Sequence, residues 1–186
     1  MDGHRCGKHH AGVSGDVFQT LAEMDFERGP WVSATNGDYQ AIVKYLNNGG
    51  LPNLKDSSGY TALHYAARNG NVSICQILLS CGATVNVTTK NGLSTPLHRA
   101  SYNGHIFVVK LLLENNADCL IQDADGQTAL HKAVTKNHPE VCKLLIAKNK
   151  KCKEIHDNKY KLPKDYVSNS VEMSEVCKIL TWQKYD

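Results

Sequence analysis

The sequence predicts an all-α repeat solenoid: short helix pairs joined by hairpin-like loops, about five repeats in all, with degenerate units at both ends. Three observations carry that prediction. Thr61-Ala62-Leu63-His64 returns as Thr95-Pro96-Leu97-His98 and as Thr128-Ala129-Leu130-His131, at steps of 34 and 33 residues. Gly37, Gly70, Gly104 and Asn137 keep the same step, as do Gly49, Gly82, Asn116 and Asn149. The leucine pairs Leu78-Leu79 and Leu112-Leu113 follow it, while Leu144-Leu145 stands one residue early and Leu145-Ile146 is the strict match. A fixed period of this length marks units that bury their apolar faces only by stacking on one another.

Within a unit, Thr61 stands where a side-chain oxygen caps the free amides of a first helix. In the next copy Pro96 falls in the first helical turn, where its missing N–H costs nothing. Ala66 and Ala67 are small enough for close helix approach, and Asn69-Gly70 ends the helix, glycine supplying the left-handed conformation. The second helix carries an i, i+3, i+4 apolar stripe, Val108, Leu111 and Leu112 in one copy and Val141, Leu144 and Leu145 in another. Gly82 closes it. Asn116 and Asn149 replace that glycine with the residue that next best tolerates positive φ.

The repeats fall at about residues 29–55, 56–88, 89–122, 123–155 and 156–183. The first keeps Ala34, Gly37, Val43, Leu46 and Gly49 but has Trp31 where histidine stands later. Before it, residues 16–28 read as a capping helix, with Asp16 and Gln19 as a capping box and Val17, Phe18, Leu21 and Met24 apolar. Residues 1–15 read as a disordered tail. At the other end, "MSEVCKILTW" echoes "HPEVCKLLIA" and gives a closing unit.

The pattern G-x-T-A/P-L-H-x-A, a helix-ending Gly and then V-x-L-L-L-x-x-x-A resembles the ankyrin repeat, over about residues 56–155. The resemblance implies a curved stack of helix pairs whose hairpin fingers and first-helix ends line a concave surface. "LPKDYV" is similar to the T-P-L-D-x-A variant of last repeats. "QTLAEMDFERGPW", "GYTALHYAARNG" and "LHRASYNGH" extend the likeness to one small ankyrin-repeat type, which implies no established activity. Asn86 in "GATVNV" resembles the asparagine that a cytosolic asparaginyl hydroxylase modifies in many such repeats, with Thr84 in place of the usual acidic neighbour.

Composition agrees with a packed core: 41% of the 186 residues are hydrophobic and 21% charged. The net charge of +3 is unevenly placed, since residues 148–164 hold seven lysines against Glu154 and Asp157. Seven cysteines without metal-like pairing in the body of the chain fit free thiols in a reducing cytoplasm or nucleus. "MDGHRCGKHHAG" has no apolar run behind it, so no signal peptide is expected, and no stretch approaches the roughly 18 apolar residues of a membrane span.

Several residues invite chemistry. The three T-x-L-H histidines would stand roughly 10 Å apart along a stack of helix layers, too far to share a metal whose bonds to nitrogen are about 2 Å. The better reading is that each imidazole ties neighbouring repeats together. Cys75, Val109 and Cys142 hold one repeat position, with Cys177 in step, which marks a small core hydrophobe. Cys152 and Cys6 are expected to be exposed; a pKa lowered by its lysines would make Cys152 reactive, but an exposed, idle thiol is the better reading. His4, Cys6, His9 and His10 offer a weak metal grip, with an unstructured tail the better account. The basic segment 148–164 suggests nucleic acid or acidic lipid, but it has no arginine, and a solvated hairpin between the fourth and fifth repeats explains it. No phosphate-cradling loop, G-x-S-x-G, H-E-x-x-H or C-x-x-C occurs. The expectation is a non-enzyme with no metal or cofactor.

What packing does not explain is the set that varies at the fingers and first-helix ends. Ser58, Tyr60, Lys90, Asn91, Leu93, Asp125 and Gln127 lie at the tips, and Arg68, Asn69, Tyr102, Asn103, Thr135 and Lys136 at the helix ends. Tyr60, Arg68, Leu93 and Tyr102 cluster in the middle repeats, and aromatics with arginine are the types that anchor protein interfaces. The reading is therefore a monomeric adaptor for a protein partner, with the basic segment as the alternative site, for nucleic acid or an acidic ligand.

Overall fold

Proline, glycine and a few polar caps set the helix ends in the computed structural model, which describes residues 29–167 and 175–181. Helix α1 (Pro30–Asn36) begins on Pro30 and ends at Gly37 with φ 78°. Helix α2 (Tyr39–Asn47) starts at Asp38, whose carboxylate accepts from the Ala41 N–H at 3.0 Å. The pairs α3 (Ala62–Asn69) and α4 (Val72–Ser80), α5 (Pro96–Asn103) and α6 (Ile106–Glu114), and α7 (Ala129–Thr135) and α8 (Pro139–Lys148) repeat the plan. Two 3₁₀ turns follow, Lys150–Lys153 and Pro163–Tyr166, and then α9 (Glu175–Thr181). Among the described residues every element is helical.

The first helices α1, α3, α5 and α7 lie side by side in one row, and α2, α4, α6, α8 and α9 form a second. In the closing unit the single turn Pro163–Tyr166 takes the first helix's place against α7, while α9 packs on α8. The predicted capping helix 16–28 and tail 1–15 lie outside the described residues.

The repeated leucines are the core. Leu63, Leu97 and Leu130 are fully buried, backed by Ile74, Val108 and Val141 and by Leu78, Leu112 and Leu145. Each such side chain contributes about 1.5–3 kcal/mol. Ala66, Ala100 and Ala133 share one buried position and let the first helices approach closely. Cys75, Val109 and Cys142 share another, where burial pushes both thiols up to about 12. They are small core hydrophobes.

Two expectations fail. Asn149 does not take the left-handed conformation of Gly82 and Asn116. Its φ is −156°, because the chain runs straight into the turn Lys150–Lys153, which the Asn149 side chain caps by accepting from the Lys151 N–H at 3.0 Å. Cys152 is not exposed. It is fully buried, and the Cys119 sulfur at 3.0 Å, together with burial, pushes its thiol up rather than down.

The repeat itself explains Cys152. Asn53, Asn86, Cys119 and Cys152 follow one another at steps of 33 residues. Asn53 sews adjacent loops together, donating to the Gly82 carbonyl at 3.1 Å and accepting from the Thr84 N–H at 2.7 Å. Asn86 does the same with the Asn116 carbonyl (3.3 Å) and the Asp118 N–H (2.9 Å). In the later repeats a sulfur–sulfur contact replaces the amide bridge, so the thiol turns inward while Lys151 beside it is exposed and Lys153 half-buried.

Candidate functional site

Most fingers are closed by an aspartate at their base. Asp56 Oδ1 accepts from the Ser58 and Tyr60 amides at 2.9 and 2.8 Å, Asp123 from Asp125 and Gln127 at 3.0 and 2.9 Å, and Asp157 from Lys159 and Lys161, both at 2.9 Å. Such a side-chain turn fixes the loop without help from strands. In the third repeat Thr89 takes the position, and its hydroxyl accepts from the Ser94 N–H at 3.1 Å. That finger is one residue longer. Counted back from the following helix, Leu93 (φ 45°) occupies the positive-φ slot that Gly59 (84°) and Gly126 (75°) hold elsewhere. At Gly59 a Cβ would stand 2.7 Å from the Lys90 amide nitrogen, so only glycine fits that close approach. Neighbouring fingertips are joined by main-chain bonds, Lys90 to Ser58 (3.1 Å), Ala124 to Gly92 (3.0 Å) and Asn158 to Asp125 (3.0 Å).

The T-x-L-H histidines latch each repeat to the next. His64 Nδ1 accepts from the Thr61 N–H at 3.1 Å, which leaves Nε2–H to donate to the Ser94 carbonyl at 2.9 Å. His98 joins Thr95 (3.2 Å) to Gln127 (2.9 Å), and His131 joins Thr128 (3.1 Å) to Lys161 (3.2 Å). The threonine amide is thus capped by the ring, while the Thr95 hydroxyl also accepts from the His98 N–H at 3.4 Å. Trp31, in the histidine's place, reaches the Leu54 carbonyl with its indole N–H at 3.3 Å. Burial pushes His64 and His98 down to about 4, so both rings are neutral. With both ring nitrogens engaged, none of the three is left over for catalysis or a metal.

A second row of staples sits at the turn between paired helices. Asn71 donates to the Ala34 carbonyl at 2.8 Å, His105 to Arg68 at 2.9 Å and His138 to Tyr102 at 3.1 Å. Fingers and first helices are thereby held in register from repeat to repeat, and their free side chains form one surface.

Tyr65, Arg99, Lys132 and Tyr166 hold one repeat position on that surface and reach back to the fingers. The Tyr65 hydroxyl donates to Asp56 Oδ2 at 2.7 Å, Lys132 pairs with Asp123 at 2.6 Å, and the Tyr166 hydroxyl donates to Asp157 Oδ2. Arg99 departs from the pattern because Thr89 offers no carboxylate. Its guanidinium turns to the preceding repeat, 5.0 Å from the Tyr60 ring centroid, and donates to the Tyr60 hydroxyl. Its buried Nε has no acceptor among the described residues.

Of the predicted contact residues, Tyr60 is half-buried, with His64 edge-on at 5.4 Å and Tyr65 beside it at 5.4 Å. Arg68 is exposed, Tyr102 is 42% exposed and Leu93 46%. Lys136 lies 4.7 Å above the Tyr102 ring and pulls that hydroxyl below its usual pKa. Ser58, Asn91 and Asp125 are exposed at the tips, and Lys90 Nζ donates to the Ser57 carbonyl at 2.9 Å. Asn69 is tied to the Thr35 carbonyl (2.8 Å), Asn103 to Arg99 (2.9 Å) and Thr135 to His131 (2.8 Å). Gln127 binds the Tyr166 hydroxyl (3.1 Å) and Lys132 (2.7 Å). These four brace the frame. Arg99, bonded to Tyr60, stands three residues before Tyr102 on α5 and so shares its face. Sequence reasoning missed Arg99, although Thr89 standing at the aspartate step was the signal.

Among the described residues no three His, Cys, Asp or Glu side chains stand close enough to hold a metal ion, and no helix is long and apolar enough to cross a membrane. The residues of the possible metal grip, His4 to His10, lie outside the described residues.

A family model for ankyrin repeats in three copies matches residues 9–89, 31–123 and 78–159. The chain is 49% identical over 84 residues to ankyrin repeat domain-containing protein 39 of Homo sapiens, covering 45% of this chain and 45% of that protein. The Bos taurus protein of the same name is 49% identical over 70 residues, 38% of this chain and 37% of the relative. An ankyrin repeat-containing protein of Schizosaccharomyces pombe is 30% identical over 99 residues, 53% of this chain and 46% of the other. The matches therefore span less than half of these relatives' own lengths. With the repeat pattern found in sequence, latches and family model alike, the chain belongs to the ankyrin-repeat family.

Proposed function

We propose that the chain is a non-enzymatic adaptor that holds a protein partner on its concave hairpin-and-helix surface. Ankyrin repeats generally mediate protein–protein interaction, and one observation of this chain supports a specific site. Tyr60, Arg68, Leu93 and Tyr102 present aromatic, cationic and apolar groups in the middle repeats, on a backbone latched on both sides. A preorganised surface loses little freedom on binding, and Tyr and Arg are the usual anchors. Changing Tyr60, Arg68 and Tyr102 together to alanine is expected to weaken a captured partner by about 100-fold or more, the combined effect of truncated anchors. A partner that still binds unchanged would remove the assignment.

The basic segment 148–164 has weaker support. Lys148 is spent on the Leu113 carbonyl at 3.0 Å, and Lys161 lies 5.5 Å from the Tyr166 ring. Oligonucleotide binding that falls steeply between low and moderate salt would restore that reading.

A further inference from the structure

The four finger bases are a natural comparison within one molecule. Asp56, Asp123 and Asp157 each put a carboxylate against the side chain that projects from the following helix or turn, Tyr65, Lys132 and Tyr166 in order. The third repeat keeps a cation at that projecting position, Arg99, and loses the anion, because Thr89 replaces the aspartate. Among the described residues the Tyr60 hydroxyl is the one acceptor given to the guanidinium, and its buried Nε has none. A half-buried guanidinium whose acceptor is a neutral phenol favours a carboxylate, which adds a charge-assisted bond.

Unpaired cations stand nearby, alongside the carboxylates of Asp56, held by the Tyr65 hydroxyl, and Asp125, exposed at the next fingertip. Arg68, Lys90 and Lys136 take part in no ion pair among the described residues, and Arg68 and Lys136 are exposed on the same first-helix row. Lys136 is balanced only by the face of the Tyr102 ring. Lys132 differs in being neutralised within its own repeat by Asp123. Arg68, Lys136 and Arg99 thus put three cations without a carboxylate partner among the described residues on the first-helix row, with Tyr60, Leu93 and Tyr102 beside them.

We propose that Arg99 is the seat for an aspartate or glutamate of an acidic partner segment, which supplies from outside the carboxylate that Thr89 omits. This deepens the adaptor reading and rests on it. The flanking cations steer and hold the remaining negative charge, and the two tyrosines and Leu93 cover the apolar part of the segment.

The internal comparison also supplies the test. Thr89→Asp gives Arg99 a carboxylate in its own repeat, as Asp123 gives Lys132, and so competes with the partner without removing any cation. The probe is a phage-displayed library of short random peptides selected on the full chain, with the strongest peptides then titrated against variants. The expected result is enrichment of peptides rich in Asp and Glu, whose affinity falls about tenfold or more on Thr89→Asp and on Arg99→Gln, with the thermal midpoint of Thr89→Asp unchanged or raised. Because Arg99→Gln needs no new buried charge, it keeps the test decisive if Thr89→Asp folds poorly. Acidic peptides indifferent to both substitutions overturn the proposal. Neutral or basic peptides that depend on Tyr60, Arg68 and Tyr102 overturn it too, while leaving the adaptor surface standing. A selection that enriches nothing, or peptides indifferent to all of these residues, overturns both. An oligothymidylate that binds through Arg99 more tightly than any peptide replaces the protein partner with single-stranded nucleic acid.

Discussion

The Cys152 sulfur lies 3.0 Å from that of Cys119, in the register where Asn53 and Asn86 bridge earlier loops with amides. Both thiols are buried, as are Cys75 and Cys142, whereas Cys81 is exposed. In the folded protein at neutral pH, iodoacetamide is expected to label Cys81 ahead of these four. The four buried thiols should react at least about 100-fold more slowly, the factor set by an opening cost of about 3 kcal/mol. Peptide-resolved mass spectrometry reads this directly, and rapid labelling of Cys152 would contradict its burial.

Acid should loosen the stack through its latches. His64 and His98 titrate at about 4 when folded against a usual 6.5, and burial also lowers His131. The unfolded chain takes up these protons first, so the latch contribution is complete above pH 6.5 and is lost as the pH falls toward 4. Each of the two larger shifts corresponds to about 3 kcal/mol across that window. Urea unfolding at pH 7.5 and pH 5 should show the fall, and a flat profile would count against neutral buried imidazoles. His98→Ala should cost about 2–4 kcal/mol at pH 7, since it strands the Thr95 amide and the Gln127 carbonyl.

Ser101 fills the position that Ala34 and Ala67 occupy in earlier repeats, and its hydroxyl is buried without a partner among the described residues. Removing an unsatisfied polar group stabilises by about 1 kcal/mol. Ser101→Ala should therefore raise the Tm by about 2–4 °C, measured by calorimetry.

Leu93 pays a conformational cost at φ 45° in a slot where two other fingers have glycine. Leu93→Gly should gain about 1 kcal/mol from the relieved left-handed backbone, because the side chain is 46% exposed and buries little. The same substitution should weaken partner binding if the surface is as proposed. Stability and affinity moving in opposite directions is the signature to look for.

The period of the sequence carried the fold because each helix end has its own local cause: Pro96 opens α5, and Gly37, Gly70 and Gly104 close first helices with positive φ. The histidines were readable for the same reason, three copies at one position with nothing chemical beside them. Asn149 was misjudged because a side chain that tolerates positive φ also caps a turn, and the 3₁₀ turn after it won. Cys152 was misjudged from its charged neighbours in sequence, although its step from Asn53 and Asn86 marked it as a loop-bridging site. Arg99 was hidden more deeply. Its significance lies in a carboxylate that is absent ten residues earlier, and a missing partner becomes visible only when the other repeats show what usually stands there.

The latches have a lopsided chemistry. Their donors are particular side chains, His64, His98, His105 and His138 among them, but their acceptors are backbone carbonyls, those of Ser94, Gln127, Arg68 and Tyr102. Any amino acid has such an oxygen. Arg68 and Tyr102 can therefore be exchanged without undoing the bonds that their own main chains accept. Recognition can diversify across descendants of this chain while its architecture stays the same.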